Sequence, residues 1–447
     1  MPNLVEMLAV LSTTLSGANI YKLSEIAINI LCLSQPVSTR SIGRMSSLSL
    51  RTIERFYAQK PFDWLLIRVI LFKNFFFESK VPYLLVGDET VQKKAGKQSY
   101  GLGSFYSSLF GRAVTSVSFL GLSLVNTQTG KSTILSVDQL VKDKTLPKSK
   151  TKNSKKSPKK GVKGSAGRPK GSKNKPYTEP ESLSFQILKS ALTTLLAILG
   201  NICPDLIAPY LVLDGFYGNQ HYLKLAASYQ LHLITKLRHD AHLIWPYQGE
   251  QKANRKPKKL GKKLDYDKIP AQYQVSLPLD HPLHKKNTTV FQVKTYANAI
   301  KGQLLNIVII RHYNPKTKKI AQSVLMSGDL GLDALTLIKY YSLRFQIEFD
   351  FRDAKQYFGL ASFKNYKQNQ LTNAVNMAFT MSLITRILLE KYQKILGLKS
   401  MSIIDLKACL RLQFYAYHLL NNSQINPDTF FNDDKILDLL KFEAINL

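Results

Sequence analysis

Tyr341, Arg344, Glu348, Arg352 and Lys355 lie within one 15-residue stretch, positions 341–355. On an α-helix, at about 100° per residue, these five side chains fall within roughly 80° of one another and share a face. Leu343, Ile347, Phe351, Ala354 and Phe358 form an apolar stripe beside that face and fix which way it points, while Asp350 lies on the opposite side. One carboxylate flanked by a phenol and three cations suits a metal ligand working next to a phosphate backbone. The same residues also fit a solvated helix whose Glu348 pairs with Arg344 and Arg352 four positions away on either side.

Two further acids follow apolar runs. Val81-Pro82-Tyr83-Leu84-Leu85-Val86-Gly87 leads to Asp88 and Glu89, and Pro209-Tyr210-Leu211-Val212-Leu213 leads to Asp214. Each run reads as a short strand ending in an acid. Either aspartate alone also fits a strand-end residue that caps a turn. If the two strands are neighbours and the Glu348 helix packs across them, the three acids could hold two Mg²⁺ or Mn²⁺ ions about 3.5 to 4 Å apart. In-line attack at phosphorus would then need no Ser, Tyr or Cys nucleophile.

The order Tyr341, two residues, Arg344, three residues, Glu348, six residues, Lys355, followed by Gly359-Leu360, resembles the Tyr-Arg-Glu-Lys signature of DDE transposases of the insertion-sequence family four type. Asp88-Glu89-Thr90 with Lys93, Lys94 and Gly96 is similar to the first-acid segment of those enzymes, and Asp214-Gly215-Phe216-Tyr217-Gly218-Asn219 to the second. The resemblance runs from about Val81 to Leu360. It implies a ribonuclease-H-like α/β core, with Asp88, Asp214 and Glu348 as catalytic and metal-binding residues. It further implies cleavage at terminal inverted repeats and joining of 3′ ends to target DNA, by a homodimer that brings two ends into a synaptic complex. Tyr341, Arg344 and Lys355 would contact phosphates near the element's end, with Arg352, Lys93 and Lys94 as further DNA-facing cations. Glu89 stands where many relatives carry a second Asp. In some members an insertion between the second and third acids holds a flipped base; Trp245 lies near the start of that insertion here, where a core role is the alternative.

Bulk composition agrees with a polyanionic partner. The 447 residues contain 62 Lys and Arg against 30 Asp and Glu, a formal charge of +32, so double-stranded DNA is the default inference. Cys32, Cys203 and Cys409 are far apart, without a CxxC pair, so neither a disulfide framework nor a zinc ribbon is supported, and a reducing compartment fits. No secretory leader is read at the start, and apolar runs such as Leu192 to Leu199 look too short for a bilayer. A cytoplasmic, nucleoid-associated protein is expected. Thr129-Gly130-Lys131-Ser132 lacks the first glycine of a P-loop, since Val125 stands there, so no nucleotide cofactor is expected.

The elements that must position these residues can be read in order. Residues 1–78 predict helices at Tyr21–Cys32, Thr39–Met45, Leu50–Gln59 and Trp64–Phe77, with Ser49 capping the third. The second and third look like a helix-turn-helix carrying Arg51 and Arg55 for DNA recognition, or else part of an ordinary bundle. Residues 79–141 predict the first part of the core, with strands at Arg112–Asn126 and Ser132–Val137. Residues 142–182 hold 13 Lys and one Arg against three acids and read as a disordered or DNA-binding segment. Within it Ala166-Gly167-Arg168-Pro169-Lys170-Gly171 resembles an AT-hook core, with Ala166 where Arg is usual; a generic basic tether is the alternative. Residues 183–239 predict a helix over Leu183–Gly200, the Asp214 strand, a helix over Tyr217–Tyr229 and a strand over Leu231–Leu237, hence a parallel crossover. Residues 240–328 predict a β-rich insertion with runs at Val275–Leu277, Thr289–Tyr296, Leu304–His312 and Ala321–Met326. Residues 329–365 carry the Glu348 helix, and 366–447 a helical tail over Leu371–Leu396 and Ile403–Leu420. Two other functions fit the same residues: a catalytically inactive DNA-binding relative, and a ribonuclease-H-like nuclease that cuts without joining.

Overall fold

The computed structural model describes residues 4–142, 182–251, 256–279, 281–284, 287–422 and residue 436. The Lys-rich segment, with Arg168 and Lys170, therefore falls almost entirely outside the described residues. Helices α1 (Leu4–Met7), α2 (Gly17–Cys32), α3 (Thr39–Met45), α4 (Leu50–Ala58) and α5 (Trp64–Phe75) open the chain. Side-chain caps fix where three of them start: Ser38 and Ser41 form a reciprocal capping box at α3, the Ser49 hydroxyl accepts from the Thr52 amide at 3.2 Å, and Asp63 accepts from the Leu66 amide at 2.9 Å.

Strands β1 (Pro82–Lys93), β2 (Gly103–Ser107), β3 (Arg112–Asn126) and β4 (Ser132–Leu140) follow, then α6 (Leu183–Ile202), β5 (Ile207–Leu213), α7 (Gln220–Ser228) and β6 (His232–Leu237). The order across this part of the sheet is β4-β3-β1-β5-β6, with β2 sharing β3's outer edge with β4. β3 is antiparallel to β1, while β1, β5 and β6 run parallel. The chain is thus mixed α/β, with a large mixed sheet compatible with a ribonuclease-H-like fold.

Several expectations need correction. β1 does not stop at its acid: antiparallel pairing with β3 carries it on to Lys93, opposite Ser116. β2 was not expected, and Val275–Leu277 forms no strand, contributing only a Val275 amide bond to the Val290 carbonyl at 2.9 Å. The helix expected over Tyr217–Tyr229 is a 3₁₀ turn (Gly215–Tyr217) followed by α7. Asn219 caps α7 by accepting from the His221 amide at 3.0 Å, and Gly218 passes so close to the Lys236 carbonyl that a Cβ there would stand 2.7 Å away. The apolar run at Leu192 extends into the 20-residue α6, long and apolar enough to cross a membrane by length and composition. It packs Phe185, Leu188, Leu192, Leu195 and Leu199 into the core instead.

Residues beyond β6 lengthen the same sheet. β7 (Leu243–Pro246), β8 (Leu260–Lys263), β9 (Thr288–Ala297), β10 (Ile300–Asn314) and β11 (Lys319–Ser327) continue it in the order β6-β11-β10-β9-β7-β8. The junction is antiparallel, Val324–Ser327 pairing with Leu237–Ile234. β7 and β8, four residues each, are too short for an alternating pattern to announce them. Helices α8 (Ala334–Leu343), α9 (Gln346–Gln356), α10 (Gln368–Leu396) and α11 (Ile403–Asn422) close the fold.

The sheet separates two apolar layers. One face packs Leu84, Val86, Val117, Phe119 and Val212 under α9 and α10, and α2 and α11 extend the same apolar layer beyond them. The other packs Tyr83, Leu85, Leu120, Leu211 and Leu213 against α6 and α7. The amino-terminal helices are tied into the first layer: the Trp64 indole donates to Asn373 Oδ1 at 2.9 Å, and Asn373 donates to the Tyr57 carbonyl at 3.0 Å.

Candidate active site

Strand periodicity decides which acids can meet. Successive side chains alternate between faces, and Leu84 and Val86 face the α9 layer, so Asp88 does too. Val212 likewise sends Asp214 to that side. β1 and β5 are parallel and in register at Gly87 and Leu213, so Asp88 and Asp214 follow adjacent positions on neighbouring strands. Asp214 is fixed at its backbone, its carbonyl accepting from Thr235 Oγ1 at 2.8 Å and from the Tyr217 amide at 3.0 Å. Glu89 takes the opposite face, where its carboxylate accepts from Ser184 Oγ at 2.7 Å and Tyr217 Oη at 3.1 Å. It is a fastening between β1, α6 and the turn after β5.

The third acid arrives on α9. Ile347, Phe351 and Ala354 are buried against the sheet, as their spacing predicted. Phe351 seats over Gly121, the β3 residue paired with Asp88; a Cβ at Gly121 would lie 2.8 Å from that ring. A glycine inside a strand here permits close approach of the helix. The residue before Phe351, Asp350, is buried and accepts from Ser132 Oγ at 2.5 Å and Ser123 Oγ at 3.2 Å, with the Arg386 charge nearby. These contacts lock the rotation of α9, which leaves Glu348 facing the cleft.

The stretch 341–355 is not one regular helix. At Arg344 and Phe345 the hydrogen bonds shorten to i→i−3, with Phe345 bonding to the Ser342 carbonyl at 3.2 Å and Glu348 to Phe345 at 3.1 Å. Tyr341 lies in the last turn of α8 and Glu348 in the first turn of α9, yet the tightened turn keeps Tyr341 beside Asp214 and Glu348 in the cleft.

Arg344 is the centre of the site's electrostatics. Its guanidinium donates to Asp88 Oδ2 at 2.8 Å and to Glu348 Oε1 at 3.2 Å, and its side chain is only 14% exposed. Burial pushes the Asp88 carboxyl up to about 6, with Asp214 and Glu348 adding to the rise and Arg344 and the Glu89 amide opposing it. Burial also raises the Tyr341 phenol, as does the charge of Asp214 beside it, while Arg344 opposes. The cleft measures about 900 Å³ and is lined by Asp88, Asp214, Arg344, Glu348 and, on the far wall, by Tyr106, Leu109 and Phe110.

Hard carboxylate oxygens converging on one cavity are the donor chemistry of Mg²⁺ or Mn²⁺. Burial chiefly, with Asp214 and Glu348 adding to it, raises the Asp88 carboxyl, and a nearby cation would oppose that rise. Among the described residues, however, no three acids, histidines or cysteines stand close enough to hold an ion as they are. Arg344 instead supplies the positive charge between Asp88 and Glu348.

The other cations chosen from the sequence divide into groups. Lys93, Arg352 and Lys355 line the cleft. Lys94 does not: its ammonium bonds the Phe363 carbonyl at 2.8 Å and lies 3.1 Å from that ring's centroid. Arg51 and Arg55 are exposed on α4, apart from the cleft. Trp245 packs on Tyr273, ring centroids 5.1 Å apart, in a different cleft of the distal sheet. Sequence reasoning missed Gly121 and the hairpin tip at Tyr106–Phe110. A glycine within the strand pattern Val117–Val125 is the one signal that could have found the first.

In comparison with known proteins, the DDE superfamily endonuclease family matches residues 34–299, more than half of the chain. That span includes Asp88 and Asp214 and ends before Glu348. No curated protein matches the chain. With the acids of two parallel strands and a crossing helix meeting on one cleft, the chain belongs to the DDE superfamily of endonucleases.

Proposed function

We propose that this protein is an insertion-sequence transposase that binds terminal inverted repeats, cuts at their ends and joins the 3′ ends to target DNA. The observation that supports this reading is the meeting of Asp88, Asp214 and Glu348 on one cleft despite their separation in the chain, with Tyr341, Arg344 and Lys355 of the signature around them. Members of the superfamily generally use divalent metal ions. Asp88, Asp214 and Glu348 would hold two Mg²⁺ or Mn²⁺ here, and such ions supply Lewis-acid activation of the attacking oxygen and stabilise the departing one. Lys93, Arg352 and Lys355 draw the phosphate backbone into the cleft. Tyr341 and Arg344 orient the carboxylates they touch, Arg344 holding positive charge against Asp88 and Glu348. The α3–α4 pair, with Arg51 and Arg55 exposed, reads the repeat sequence, and a homodimer pairs the two ends.

The experiment is a cleavage and strand-transfer assay on duplexes made from the element's ends, with Mg²⁺. Glu348→Gln is expected to bind the duplex as the parent does and to lose both products. Unchanged strand transfer by this variant would remove Glu348 from the site. Cutting by the parent without any joined product would favour a nuclease instead.

A further inference from the structure

The far wall of the acid cleft ends in side chains that a solvated surface rarely displays. β2 and β3 pair from Gly103 and Ser116 to Ser107 and Arg112, joined by a 3₁₀ turn over Ser108–Phe110 and reversed at Gly111, whose φ is +59°. The root of this finger is fixed: Phe105 is buried, and the Lys142 ammonium lies 4.2 Å from its ring centroid while bonding the Ser104 carbonyl. The tip is bare, with Tyr106 66% exposed, Leu109 85% and Phe110 43%. All three line the same cavity as Asp88, Asp214 and Glu348.

An exposed apolar patch marks a contact site, and the surrounding charge says with what. The Lys93 ammonium sits 5.0 Å from the Phe110 centroid, Arg112 is exposed beside it, and Arg352 and Lys355 complete the rim. A second copy of a chain with a formal charge of +32 would bring like charge to this rim. A polyanion brings the opposite sign, and the polyanion that also offers flat apolar surface is nucleic acid. Apolar side chains presented beside phosphate-binding cations are the means by which proteins part a base step and kink a duplex.

We propose that the Tyr106–Phe110 tip is a wedge that enters the base stack of duplex DNA at the step next to the phosphate being cut. Opening that step frees the strand to bend toward Asp88, Asp214 and Glu348. This inference rests on the reading of the cleft as a DNA-cutting site.

The test uses the full chain and end duplexes carrying 2-aminopurine at successive positions across the cut junction. Binding is expected to raise fluorescence at one step only. The double variant Tyr106→Ser/Leu109→Ser, both positions being exposed, should keep its circular dichroism and still bind the duplex at saturating protein, yet lose that rise. A mismatch at the same step should restore cutting by the double variant about tenfold over the paired duplex, since the unstacking is then already done. Leu109→Trp should retain the rise. A rise that persists in the double variant, or a parent that binds and cuts DNA with no rise at any position, overturns the wedge and leaves the proposed function standing. A double variant that changes from dimer to monomer also overturns it, in favour of an interface between copies. A parent that neither binds nor cuts the duplexes removes the proposed function as well.

Discussion

Asp88 and Glu89 are adjacent acids with different tasks, because neighbouring side chains on a strand leave it on opposite faces. Asp88 joins Asp214 and Arg344 in the cleft, whereas Glu89 fastens Ser184 and Tyr217 behind it. A second titratable site shows how burial tunes a residue. Burial lowers the Lys407 ammonium from 10.5 to about 8; it donates to the Ile30 carbonyl at 2.7 Å and faces the buried Cys32 thiol and Arg411. The unfolded chain keeps that proton up to the ordinary lysine value, while the folded chain releases it near 8. Stability contributed here is therefore fully present above the ordinary value and lost as pH falls through about 8. Urea midpoints measured from about pH 7 to about pH 10 should rise with pH in the parent, and Lys407→Met should flatten that rise. A variant whose midpoint climbs as steeply as the parent's would assign the slope to another group.

At the scale of elements, the site depends on how closely α9 can approach β3. Gly121 gives up its side chain so that the Phe351 ring can rest on the strand beside Asp88. Gly121→Val should cost about 1 to 3 kcal/mol in urea unfolding through overpacking, and should reduce cleavage further by moving Glu348 away from the aspartates. Phe351→Leu in the same chain should recover part of both losses; no recovery would mean that the valine acts elsewhere. Much of this arrangement was legible beforehand. The apolar stripe of Ile347, Phe351 and Ala354 gave the buried side of α9, and the runs before Asp88 and Asp214 gave two strands. What the sequence withheld is tertiary in origin. The turn at Arg344 and Phe345 contains neither Pro nor Gly, so no local signal separates α8 from α9. β1 reads as ended at its acid because only the partner strand β3 carries it onward to Lys93. β7 and β8 exist through their pairing, with too few residues to show a period.

Across the whole molecule, eleven strands form one sheet among the described residues, and the two aspartates emerge from neighbouring β1 and β5, toward its β2 end. Helices from both ends of the chain pack on the face that carries the cleft, through Trp64, Asn373 and Tyr57. The surface around this frame is strongly basic, so association with DNA should be governed by release of counterions. Lys355, half-buried at the cleft wall, is expected to contribute one of those contacts. Lys355→Ala should weaken binding and make the dependence of log affinity on log salt shallower by about 1. A slope identical to the parent's would show that Lys355 does not touch phosphate.

Arg344 gives the protein an internal substitute for the ion its carboxylates are suited to hold. The chain can therefore finish folding with Asp88 and Glu348 already countered by a side chain of its own, so that no metal would be needed to complete this part of the fold. Chelation should then silence the chemistry while the protein stays folded, its melting midpoint falling only by what the bound ion itself had added, as calorimetry with and without a chelator can show.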